Sequence, residues 1–119
     1  MKYSHSKFKS NCHLLEKISA EYSKAKMTLA NKDDLKQVSL IKEEGAYYYL
    51  TEDKCNSYKF FIKHVENVLN MLDPIDKEFI ENDFLEKVNP FWWVSCYSKS
   101  SYYRNKKKAL EMFLHFYKL

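Results

Sequence analysis

The amino-acid sequence predicts an all-α protein, and three observations carry that prediction. The 119 residues include one glycine and two prolines. Hairpins and phosphate-cradling loops draw on residues that tolerate positive φ, which glycine supplies most readily, and this chain has a single glycine. Apolar residues recur at intervals of three, four and seven, the repeat of a helix that buries one face. Finally, Asp73-Pro74 and Asn89-Pro90 each pair a capping residue with a proline suited to the first helical turn. A composition 45% hydrophobic and 17% aromatic is rich enough to bury a core, which argues against disorder.

The elements follow in order. Phe8, Leu15, Tyr22 and Leu29 stand seven apart with Cys12, Ile18 and Ala25 between them, which predicts a long helix over about residues 6–31. This stripe suits either a dimer seam or packing on the chain's own domain, and the second is preferred. A shorter helix is expected over 31–44, ending at Gly45 as its C′ residue. Tyr47-Tyr48-Tyr49-Leu50 reads as loop or helix start. Thr51, followed by Glu52 and Asp53, reads as an N-cap with acids in the first turn. Tyr58, Phe61, Ile62, Val65, Val68, Leu69 and Leu72 then mark one face of a core helix.

Asp73 and Pro74 open the next helix, whose buried face is Ile75, Phe79, Ile80 and Phe84. Its acids, Asp76, Glu78, Glu81, Asp83 and Glu86, are expected on the solvent face, where they complement the helix dipole. Asn89-Pro90 predicts a very short helix through Phe91, Trp92, Trp93 and Val94. Ser98 then caps a final helix to about Tyr117. The organisation expected is an N-terminal helical region over 1–72, for packing or dimerisation, and a helix-turn-helix over 73–119.

Charge is concentrated at the end of the chain. Lys99, Arg104, Lys106, Lys107, Lys108 and Lys118 face Glu111 alone in residues 96–119, whereas the whole chain carries only +4. An anionic partner is therefore expected there. On a helix capped by Ser98, Tyr102, Ala109, Leu110, Phe113 and Phe116 fall on one side. Lys99, Ser100, Tyr103, Arg104, Lys107 and Lys108 fall on the other. An apolar brace followed by a helix with a basic outer face is the pattern of a helix-turn-helix, whose second helix enters the major groove of DNA.

The run Ser98-Lys99-Ser100-Ser101-Tyr102-Tyr103-Arg104, followed by Lys106-Lys107-Lys108-Ala109-Leu110, resembles the recognition helix of sigma factor region 4 and of ArpU/RinA-type phage transcription regulators. Leu72 to Ile80 and Asp83-Phe84-Leu85 are similar to the helix that precedes it in those proteins. The double tryptophan and the Tyr-Tyr-Arg ending also resemble a group of small uncharacterised proteins of wall-less bacteria. Cys96 stands where the regulators have glycine, and Lys106 where they have a buried leucine. The resemblance, over about residues 72–117, implies a transcription regulator that binds double-stranded DNA, with docking on RNA polymerase or another protein as the alternative.

In that reading Tyr103 and Arg104 meet base edges, since arginine forks onto guanine O6 and N7. Lys99, Ser100, Lys107 and Lys108 meet phosphates. Phe8, Leu15, Tyr22 and Leu29, or Trp92 and Trp93, are the candidate protein interface, and a homodimer is expected because one recognition helix covers a half-site.

Other classes find little support. Val88 to Ser98, the longest stretch without a charged side chain, has eleven residues, against the roughly 18–20 that a membrane span needs. Met1 to Lys7 is followed by no apolar run, so a secretory leader is not expected, and a cytoplasmic protein is. Cys12, Cys55 and Cys96 are odd in number and far apart, and read as thiols. His5, His13, His64 and His115 form no ligand pair and no glycine-rich loop is present, so neither enzyme, metal nor cofactor is expected.

Overall fold

A computed structural model describes residues 5–30 and 52–119. Among the described residues the protein is all-α, with four helices and no strand. They are α1 (His5–Ala30), α2 (Glu52–Met71), α3 (Pro74–Ile80), which continues as a π-helical turn (Glu81–Leu85), and α4 (Lys99–Tyr117). The helix expected over 31–44, the tyrosine run 47–49 and the Thr51 cap lie outside the described residues.

A shared core explains the helices. Leu15, Ile18 and Tyr22 from α1 meet Val65, Val68 and Leu69 from α2, Phe79 and Ile80 from α3, and Ala109, Leu110, Phe113 and Leu114 from α4. Leu15 and Tyr22 are thus consumed inside the chain, because α1 closes on α2 and α4. The seven-residue stripe is a packing face here, which removes its two central members from any exposed seam. Phe8 packs partly buried against the same cluster, and Leu29 is half-buried.

Polar contacts fix the register between helices. The Tyr22 hydroxyl donates to Glu66 Oε2 across α1 and α2 at 3.0 Å. His64 Nε2 lies 3.0 Å from the Tyr117 carbonyl oxygen and its ring packs on the Tyr117 ring, so α2 covers the last turn of α4. The Ser19 hydroxyl donates to the Phe84 carbonyl, an acceptor that the end of its own helix leaves unused. Burial, reinforced by the bond to Glu66, pushes the Tyr22 hydroxyl up to about 12 from an ordinary 10.0. The unfolded chain releases this proton first, so the stability that Tyr22 contributes is held below pH 10 and lost between there and about 12. Urea melts across this range should show a decline that Tyr22→Phe makes shallower without abolishing, since the Tyr102 and Tyr117 hydroxyls are also raised.

The π-turn ends in a left-handed residue. Glu86 N–H donates to the Glu81 carbonyl at 2.7 Å, closing the wide turn. Lys87 then adopts φ 50°, a left-handed backbone that normally favours glycine. Lys87→Gly should therefore raise stability by about 0.5–1 kcal/mol, read as a higher urea midpoint at unchanged slope.

Candidate nucleic-acid interface

The orientation of α4 decides which of its cations meet solvent. Ser98 caps the helix as the sequence predicts: its backbone is extended and its Oγ accepts from Ser101 N–H at 3.1 Å. Tyr102, Ala109, Leu110, Phe113 and Leu114 face inward. That rotation leaves Lys99, Ser100, Tyr103 and Arg104 exposed on the first two turns, with Tyr103 47% accessible. The Arg104 guanidinium donates to Ser101 Oγ at 3.2 Å, which lays it along the helix with its other donors unused by that bond.

The acids of α3 do not all sit on the solvent face, contrary to expectation. Asp76 is 1% exposed and the Asp83 side chain 7%. Positions 76, 79, 80, 83 and 84 fall at i, i+3, i+4, i+7 and i+8, so both carboxylates share the stripe of Phe79, Ile80 and Phe84. Buried carboxylates need partners, and α4 supplies them. Asp83 Oδ2 accepts from the Tyr102 hydroxyl at 2.5 Å and lies 3.4 Å from Lys106 Nζ. Asp83 Oδ1 accepts from Trp92 Nε1 at 2.8 Å. Asp76 lies 3.3 Å from Lys108 Nζ, which also reaches Asp73 at 3.7 Å. Asp73 thus spends its carboxylate on α4 and makes no side-chain cap bond, although its carbonyl accepts from Lys77 N–H.

Rising numbers along α3 therefore meet falling numbers along α4, and the two run antiparallel. Lys106, which stands where the regulators have leucine, lies over the rings of Phe84 and Tyr102 at 5.3 and 5.5 Å and pairs with Asp83. Lys108 was expected at phosphate, but its charge is matched by Asp76 and Asp73. Lys107 is half-buried and engaged within the chain. The Tyr102 hydroxyl holds its proton far above the ordinary range because burial disfavours the phenolate and Asp83 takes the hydrogen bond.

The connector before α4 is not the short helix that Asn89-Pro90 predicts. Residues 91–96 form successive turns, with Trp92 N–H donating to the Asn89 carbonyl, Val94 N–H to Phe91 and Cys96 N–H to Trp93 at 3.0–3.2 Å. Asn89 Oδ1 does cap the first turn through Phe91 N–H, at 3.0 Å. Ring contacts outweigh helix propagation over so short a run. Trp92 is pinned to Asp83 and meets Phe79 edge-on at 5.0 Å, while Trp93 stacks on Tyr102 at 4.2 Å and 18°. The brace under α4 is thus built from rings. Val88, Phe91 and Val94 point outward, 83%, 69% and 56% exposed.

No described helix is long and apolar enough to cross a membrane. Comparison with protein-family models, curated proteins and solved structures finds no significant match to the chain.

Proposed function

We propose that the protein binds double-stranded DNA through the outer face of α4, as a transcription regulator. One observation carries this reading: Lys99, Ser100, Tyr103 and Arg104 stand exposed on the first two turns of a helix that has no acid before Glu111. Cations on one exposed helix face can neutralise phosphates and release the counterions condensed on them, and a tyrosine and an arginine between them can reach base edges. Lys106 and Lys108 serve α3, so with Arg104 on a base edge phosphate contact falls to Lys99 and Lys107.

The salt dependence tests this division. With one or two cations on phosphate, the logarithm of affinity should fall against the logarithm of salt with a slope of about −1 to −2. Had the whole basic run contributed, the slope would be about −4.5. Arg104→Ala should weaken binding by roughly 1–3 kcal/mol and relax sequence preference, read by fluorescence anisotropy on labelled duplexes. Absence of binding at about 50 mM salt would sink the reading.

A second reading, docking on a protein such as RNA polymerase, is favoured by Val88, Phe91 and Val94, which expose apolar surface on the connector. Partners that persist in a pull-down after nuclease treatment, and are lost with Phe91→Ser, would favour it.

A further inference from the structure

The adjacent tryptophans divide their work. Trp92 is anchored, its ring nitrogen on Asp83 and its ring against Phe79 and Tyr97. Trp93 makes no such polar bond among the described residues; it lies flat on Tyr102 and remains partly exposed. Tyr103 meets the same phenol edge-on at 4.9 Å and 71° and is 47% accessible. Two accessible aromatic side chains are thus held against one buried ring, whose own hydroxyl is fixed by Asp83. Lys99 and Arg104 flank them on α4, both exposed.

Rigid, accessible rings beside cations are the two parts of a site for single-stranded nucleic acid: the cations follow the backbone and the rings stack on bases. A paired base is already stacked in the duplex and offers a ring only its edge. An unpaired base offers a whole face, and stacking on it repays the exposure of the aromatic surface. We propose that Trp93 and Tyr103, steeply inclined to each other across Tyr102, each offer a stacking surface to an unpaired base, so that the chain prefers DNA containing unpaired bases over fully paired duplex. The proposal rests on the nucleic-acid reading above and narrows its ligand. Tyr102 supports both rings and is itself buried, so it touches no base.

The experiment uses the full chain and two fluorescein-labelled DNAs of about 24 base pairs, one fully paired and one with a central bubble of about four mismatches, at about 50 mM salt. Anisotropy should give the bubble roughly tenfold tighter binding. Tyr103→Ala should bring the ratio of the two affinities toward one, while Tyr103→Phe, which keeps the ring, should preserve it. Tyr103 lies on the surface, and far-UV circular dichroism of the variant should match that of the wild-type chain. Equal affinity of the wild-type chain for both DNAs overturns the stacking proposal and leaves duplex binding standing. A ratio that Tyr103→Ala leaves intact also overturns it. Failure to bind either DNA overturns the nucleic-acid reading and this proposal together.

Discussion

Asp83→Ala is expected to lower stability by about 3–5 kcal/mol, the range seen when one member of a buried ion pair is removed. The carboxylate accepts from two donors, the Tyr102 hydroxyl of α4 and the Trp92 indole of the connector, and pairs with the Lys106 ammonium, which itself donates to the Tyr102 hydroxyl. Alanine strands both donors and leaves Lys106 without its counter-charge, with Tyr102 buried and Trp92 and Lys106 only partly exposed. Asp83→Asn should cost less, because its carbonyl still accepts one bond. Pairing Asp83→Asn with Lys106→Met should recover part of the loss, since the ammonium that lacks a counter-charge is gone. Urea unfolding followed by tryptophan fluorescence measures all three variants. A loss under about 0.5 kcal/mol for Asp83→Ala would show that the network is replaceable by water.

That network also marks where the sequence was legible and where it was not. On α4 the helix bounds and inward face follow from periodicity: the Ser98 cap and the burial of Tyr102, Ala109, Leu110 and Phe113 agree with the sequence pattern, whereas Ile75, expected on the buried face of α3, is 50% exposed. Acids and lysines, by contrast, are assigned to solvent by type, and Asp76 and Asp83 break that assignment. The signal was present in position. Asp76 and Asp83 occupy the apolar stripe of α3, and Lys106 falls four after Tyr102 and three before Ala109, on the inward stripe of α4. An acid and a lysine on facing stripes predict each other. The connector was harder to read, because Phe91 to Val94 is apolar without being long enough to show a period. Its ring contacts are made with residues distant in sequence, Phe79, Asp83 and Tyr102. For the candidate interface, the sequence located Lys99, Ser100, Tyr103 and Arg104 on one exposed face but could not separate them from Lys108, whose partners lie on another helix.

Phe79→Ala is expected to be comparably damaging, at about 3–5 kcal/mol, through a different physical cause. Phe79 is fully buried, and its ring meets Trp92, Tyr97 and Tyr102 at 5.0, 5.3 and 5.7 Å. Alanine leaves a cavity and removes edge-to-face contacts worth about 0.5–1.5 kcal/mol each beyond their area. Because Trp92 and Tyr97 bracket the connector, the cavity opens where the connector rests on α3. Near-UV circular dichroism from the tryptophans should therefore weaken by more than far-UV circular dichroism from the helices. The melting temperature should fall by on the order of 20 °C for a chain of this size. Phe79→Leu, which refills most of the volume, should lose much less. If near-UV and far-UV signals decline in equal proportion, Phe79 supports the whole core and the connector owes it no particular debt. A selective near-UV loss would place Phe79 as the point on which the ring brace turns, and the same variant should then blunt DNA binding, since α4 would keep its cations but lose the support that aims them.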